Sequence, residues 1–148
     1  LGVGRRVRHR PGSRGVVWIE GGEIHVAGRP EHLARRLKDW LVGEARRRIS
    51  ERVRSMAAKL EVRPGRVSMR DTRSRWGSCS ANGSISFCWR LVMMPESVID
   101  YVVAHEVSHL RFMDHGPKFW KAVGGLTDDA ETSRAWLNSH GERLHRYG

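Results

Sequence analysis

The sequence has no run of eighteen apolar residues and no charged leader followed by an apolar stretch, so neither a membrane span nor a secretory signal is expected. It has only two cysteines, Cys79 and Cys88, too few for a disulfide scaffold in a 148-residue chain. A reducing cytoplasm is the simpler setting, and one bridge across a hairpin is the alternative. Lysine is scarce, four against 23 arginines, an imbalance that says nothing about function by itself. Internal repeats and low-complexity tracts are also missing. What remains is a chain long enough for its own hydrophobic core without staples or an obligatory partner.

Positive charge is abundant and unevenly placed. The formal net charge is +11, yet residues 1–92 hold 21 Lys/Arg against 8 Asp/Glu, whereas residues 93–148 hold 6 against 8. A basic portion of that size attracts polyanions through its long-range potential. A solvated arginine-rich face weighs equally, because charge runs alone are weak signals.

The stretch to Arg14 is Gly- and Arg-rich and reads as a loose strand or arm. Val16–Ile19 and Ile24–Val26 flank Glu20-Gly21-Gly22-Glu23, a β-hairpin pattern. Pro30 suits the first turn of a helix, and Leu33, Leu37, Trp40, Leu41, Ala45, Ile49, Val53, Met56 and Leu60 recur at three and four spacing up to Pro64-Gly65. Arginines and acids on its polar faces are spaced for i,i+4 pairs. Arg66–Arg70 reads as a short strand with Val67 and Met69 inward, and residues 71–83 as a polar loop. Ser84–Leu91 alternates, which predicts a strand with Ile85, Phe87, Trp89 and Leu91 inward and Ser84, Ser86, Cys88 and Arg90 outward. A helix is predicted from Pro95 through Met113, a short one from Lys118 to Val123, and a last one from an N-cap at Thr127–Asp129 to about His140. The domain reading is an N-terminal β-hairpin arm, 1–28, followed by the main domain, 29–148.

The chemistry lies in His105-Glu106-Val107-Ser108-His109. The bare pattern arises by chance in many proteins, so its placement on a helix decides its value. At about 100° per residue His109 lies about 40° from His105, so both imidazoles project from one side and can share an ion. Glu106 lies beside that ion, positioned to take a proton from metal-bound water and return it to a leaving amine. A catalytic zinc wants three protein ligands and one open position. His115 supplies the third, if Asp114 and Gly116 turn the chain back through left-handed backbone. Val98, Ile99, Val102, Val103, Val107 and Leu110 make the helix apolar, and burying two His and a Glu without a partner would be costly. His9, His25, His32, His140 and His145 show no such grouping. Tyr101 lies one turn before His105; it and His140 are the candidates for stabilising an oxyanion.

The text from Arg75 to Trp120 resembles the YgjP-like metallopeptidase family, which is similar to the SprT-like minimal zincins. Arg75-Trp76-Gly77-Ser78-Cys79-Ser80, Trp89-Arg90-Leu91, Pro95–Tyr101, the His105–His109 motif and His115-Gly116-Pro117-Lys118-Phe119-Trp120 carry it. About a third of the chain resembles the family strongly. The resemblance implies an α+β, zincin-like fold: a small antiparallel or mixed sheet packed on the long amphipathic helix and a buried active-site helix. It also implies His105, His109 and His115 as ligands and Glu106 as base. The ligand spacing equals that of metzincins, but Phe112 stands where those enzymes have Gly and no Met follows His115, so that label is rejected. By analogy the strand from Ser84 to Trp89 borders the cleft, offering its edge to an extended peptide. Trp76 and Cys79 read first as a Trp-anchored turn with a buried thiol, and secondarily Cys79 as a transient ligand.

The expected activity is therefore hydrolysis of peptide bonds by a cytoplasmic zinc peptidase. Its expected partners are a peptide or protein substrate and no membrane, with the oligomeric state left open. The rival is a basic nucleic-acid-binding module with a structural zinc, in which residues 1–92 and Trp18, Trp40, Trp76 and Trp89 meet the polyanion. A hybrid is a peptidase recruited to nucleic acid.

Overall fold

The protein is described by a computed structural model over residues 3–12 and 16–147. The Arg14 end of the expected arm lies outside the described residues. Strands β1 (Val7–Arg10), β2 (Val17–Glu20) and β3 (Glu23–Ala27) form one sheet, with β3 central, antiparallel to β2 and parallel to β1. The hairpin is where the Gly pair predicts it, with Gly21 and Gly22 both at positive φ (57° and 77°) as the tight turn requires.

A single 3-10 turn starting at Pro30 leads into α1 (Leu33–Leu60). Its buried residues Leu41, Ala45, Ile49, Val53, Met56 and Ala57 form one stripe into the main core. Glu61 ends the helix in the left-handed conformation (φ 57°), and Val62 N–H reaches back to the Ala57 carbonyl at 3.0 Å. The i,i+4 pairs Arg35–Asp39, Arg47–Glu51 and Arg48–Glu44 form as expected.

The second sheet repeats the topology of the first. Strands β4 (Val67–Arg70), β5 (Gly77–Cys79) and β6 (Ile85–Cys88) pair with β6 central, parallel to β4 and antiparallel to β5. Two sequence expectations are corrected here. The supposed loop 71–83 contains β5, and the alternating strand 84–91 stops at Cys88, where Trp89–Met93 coils into a 3-10 turn. Once the chain leaves the sheet, period-two alternation no longer assigns faces, and Arg90, expected outward, is fully buried. Cys88, also expected outward, is still within β6 but is buried as well, its thiol 3.3 Å from the Thr72 carbonyl oxygen. Ile85 and Phe87 do enter the core.

Three helices complete the fold: α2 (Glu96–Ser108), α3 (Pro117–Leu126) and α4 (Ala130–Leu144). Helix α2 is shorter than the predicted 95–113, because the amides of His109 and Leu110 bond to Glu106 and Val107, three residues back, tightening the final turn. It packs on α1, where Arg48 and Arg52 reach Glu96, and Arg52 Nε donates to Asp100 at 2.6 Å. Part of the positive charge in the first portion is thereby neutralised by acids of the second. Asp129 precedes α4, but its carboxylate accepts from the Thr132 hydroxyl (2.8 Å) rather than from a helix amide. The architecture is α+β, with small mixed sheets, a long helix and a buried motif helix. No helix among the described residues is long and apolar enough to cross a membrane.

Candidate metal centre

His105 sits in the last turn of α2 and His109 one residue past its end, a separation of about one helical turn that keeps both rings on one side. Their ring centroids are 5.0 Å apart. The chain then turns and brings His115 back, with centroids 5.2 Å from His105 and 4.7 Å from His109. The return uses no left-handed residue: among the described residues only Glu61 and Asp129, besides Gly21, Gly22, Gly28 and Gly83 outside this loop, have positive φ. The role expected of Asp114 and Gly116 is thus corrected; the turn lies wholly in ordinary backbone. Gly116 is extended (φ −83°, ψ −176°) and Pro117 starts α3.

Phe119 of α3 is the floor, fully buried, with centroids 5.0, 4.5 and 4.9 Å from the rings of His105, His109 and His115. One nitrogen from each of the three imidazoles lies within 4.8 Å of the others, the sole such group of potential metal donors among the described residues.

The chemistry of the donor set suits a divalent cation. His109 Nδ1 lies 3.0 Å from the Phe112 carbonyl oxygen, so that nitrogen carries the proton and Nε2 presents its lone pair. His115 Nε2 is 3.0 Å from that same Nε2, and two lone pairs at that distance need a proton or a cation between them. Burial, followed by the charges of His109, His115 and Arg134, lowers the His105 pKa to about 4, so its ring is neutral and able to ligate near pH 7.

Glu106 points to the neighbouring space. It is buried, its Oε1 is 3.8 Å from His105 Nε2, and its Oε2 has no hydrogen-bond partner. Burial pushes its pKa up to about 7 against a lowering influence from Arg75. The carboxylate has room because residue 77 is glycine: a Cβ there would lie 2.8 Å from Glu106 Cγ. Gly77 belongs to the Arg75–Ser80 stretch, but nothing local in the sequence sets it against Glu106; that takes the pairing of β5 with β6.

His105 and Glu106 line a cleft of about 300 Å³, walled by Trp76, Gly77, Tyr101, Val102 and Leu137 and rimmed by Arg134 and Asn138 from α4. Arg134 and Asn138 had no signal in the sequence, because nothing there indicates that α4 folds back over α2. Of the two oxyanion candidates, Tyr101 lines the cleft. His140 instead stacks on Trp136 (4.8 Å) and is not part of the wall. The strand bordering the cleft is corrected as well: β6 is central, and of the two edge strands, β4 and β5, it is β5 whose Gly77 lines the cleft. Both cysteines are free thiols. Cys79 is not among the converging donors, and burial, then Glu106, raises its pKa. Trp76 is anchored as a turn residue would be, against His145 (3.7 Å between centroids).

Comparison with known proteins agrees with this geometry. No curated protein matches the sequence. Among solved structures, the zymogen of the metallopeptidase abylysin from Pyrococcus abyssi is 20% identical, with a TM-score of 0.55 over 66% of this chain and 96% of that one. The zymogen of the metallopeptidase jannalysin from Methanocaldococcus jannaschii is 17% identical, with a TM-score of 0.53 over 64% and 96%. At those identities the likeness is one of fold. The YgjP-like metallopeptidase domain matches over residues 6–140, nearly the whole chain, and the protein therefore belongs to the YgjP-like metallopeptidase family.

Proposed function

We propose that this chain is a zinc-dependent peptidase in which His105, His109 and His115 hold the metal and Glu106 is the general base. The observation that carries the reading is the convergence of three imidazoles beside a buried carboxylate with an unpartnered oxygen, at the head of an open cleft. Zinc, when bound, supplies Lewis acidity toward the scissile carbonyl and acidifies water.

The protein's own groups do the rest. Glu106, with its pKa near 7, is matched to accept a proton at neutral pH and to return it to the departing amine. Trp76, Val102 and Leu137 give the cleft apolar walls, and the outer edge of β5 lies beside α2, where an extended peptide can hydrogen-bond as an added strand. Residues 29–148 carry this chemistry. Residues 1–28 are assigned to an arm on the ground that Ile24, Val26 and Ala27 are buried outside the main core cluster and that none of the described residues before 29 lines the cleft.

The test is metal analysis together with cleavage of an unfolded protein by the native chain and by Glu106→Gln. The variant should keep its metal and lose turnover by about 10²-fold or more. Equal cleavage by both removes Glu106 as base.

A second partner is favoured by one observation, a groove of about 620 Å³ over the outer face of β4, β5 and β6. Ser68, Ser78, Ser80, Ser84 and Ser86 line it together with Arg66 and Arg70, hydroxyl donors and cations suited to a phosphodiester backbone. In this reading the peptidase is recruited to nucleic acid. Binding of single-stranded oligonucleotide should then weaken steeply with salt and in Arg66→Ala/Arg70→Ala, whereas salt-independent or absent binding rejects it.

A further inference from the structure

The cleft beside Glu106 is lopsided in a way that peptide hydrolysis alone does not require. Its walls are apolar, Trp76, Val102 and Leu137, but its rim on α4 is polar, with Arg134 and Asn138 one turn apart. Arg134 is exposed and pairs with no carboxylate among the described residues. Its guanidinium carbon lies 5.5 Å from the centre of the Trp120 ring, and its charge is felt at both Tyr101 and His105. The indole face attracts the guanidinium without using its N–H donors. The helix carrying it is tied down one residue earlier, where buried Ser133 donates to the Ser97 carbonyl at 3.2 Å. From the other side the cleft feels Arg75, whose charge acts on Glu106. Glu106 is the sole acid lining the cleft.

We propose that Arg134 determines specificity, binding a carboxylate of the peptide substrate whose aliphatic stem lies along Trp76, Val102 and Leu137. The proposal rests on the peptidase reading above. A guanidinium without a carboxylate partner at the rim of an apolar trough is a receptor for a group that is apolar along its length and anionic at its tip. Asn138 adds an amide donor at the same end. A lysine or arginine side chain in that trough meets Arg134 and is disfavoured by like charge. Two sources share this chemistry: a Glu or Asp side chain within the peptide, and the carboxylate at its C-terminus.

The test uses one short peptide with Glu, Gln or Lys at a single varied position, each with a free and an amidated C-terminus. Binding to the metal-free protein is followed by tryptophan fluorescence, since Trp76 lines the cleft and Trp120 lies against Arg134. The native chain should bind at least one carboxylate-bearing form about tenfold more tightly than its uncharged counterpart. Arg134→Gln should bring that ratio to about one, Arg134→Glu should invert it in favour of Lys, and Arg134→Lys should keep part of it. A preference that survives amidation assigns a side-chain carboxylate; one that vanishes assigns the terminal one. Equal binding of all six peptides by the native chain, or a preference that persists in Arg134→Gln, overturns the proposal. The same peptides offered to the zinc-loaded protein separate the two claims. Charge-selective, Arg134-dependent binding without any cleavage rejects the peptidase reading and leaves Arg134 as a carboxylate receptor.

Discussion

A methyl group at position 77 has nowhere to go without moving Glu106: the added carbon would stand 2.8 Å from Glu106 Cγ and 3.3 Å from Phe87. The carboxylate is the softer neighbour, so Gly77→Ala should displace the proposed base while leaving the histidines alone. Turnover is predicted to fall about tenfold or more with metal content unchanged, since small misplacements of a reacting group are costly. Measuring both on one preparation checks it, and loss of metal instead would place the damage elsewhere. Glu106 itself predicts a pH dependence in the chelator-treated protein. Burial raises its pKa to about 7, so the folded chain holds this proton more tightly than the unfolded one. Its contribution is full below about pH 4.5 and is lost as pH rises through about 7. Glu106→Gln removes the titration. Its melting temperature should therefore exceed that of the native chain at pH 8, and the gap should close toward pH 4; a gap independent of pH contradicts the assignment.

Among the elements, the 3-10 turn after β6 depends on one buried cation. Arg90 is fully buried yet reaches Asp71 (2.6 Å) and the carbonyls of Thr72 (3.3 Å) and Tyr147 (2.6 Å), tying the turn to the segment before β5 and to the C-terminal end of the chain. Arg90→Leu is predicted to destabilise the fold by roughly 3–5 kcal/mol, and Arg90→Lys to recover little of it, because a point charge cannot serve several acceptors spread around a planar fork. Denaturant titration of both variants checks this. Hydrogen bonds from Lys38 first, then Arg90 and Trp89, hold the Asp71 carboxyl below the usual carboxylate range. Its stabilisation is present at neutral pH and disappears as the solution is acidified through and below that range. Asp71→Asn should flatten the acid limb of the stability curve. Arg90 also marks how far the sequence could be read. Helix α1 and the hairpin were legible because apolar spacing and a Gly-Gly turn are local signals. His105 and His109 were legible because four residues make one helical turn. Strand β5 was not, since Gly77-Ser78-Cys79 has little strand character and becomes a strand through its pairing with β6. The outward placement of Arg90 failed for the same reason: strand periodicity cannot report where the strand stops.

At the scale of the whole molecule, the charge imbalance between the two portions of the chain has a structural counterpart. Arg48 and Arg52 of α1 meet Glu96 and Asp100 of α2, so the basic portion and the acidic portion neutralise each other where the long helix braces the motif helix. Among the described residues, Arg66 and Arg70 line the groove over the second sheet, and Arg134 at the rim of the cleft pairs with no carboxylate. The centre itself is assembled from three sources: α2 gives His105 and Glu106, the turn beyond it His109 and His115, and α3 the aromatic floor. The account therefore stands on whether His115 completes a metal site that the motif helix alone cannot. The most direct measurement is zinc content and peptide cleavage on the same samples of the native chain, His115→Ala and Glu106→Gln. The native chain should hold one zinc and cleave; His115→Ala should lose both, and Glu106→Gln should keep the zinc and lose cleavage. Full zinc occupancy with undiminished cleavage in His115→Ala contradicts the account.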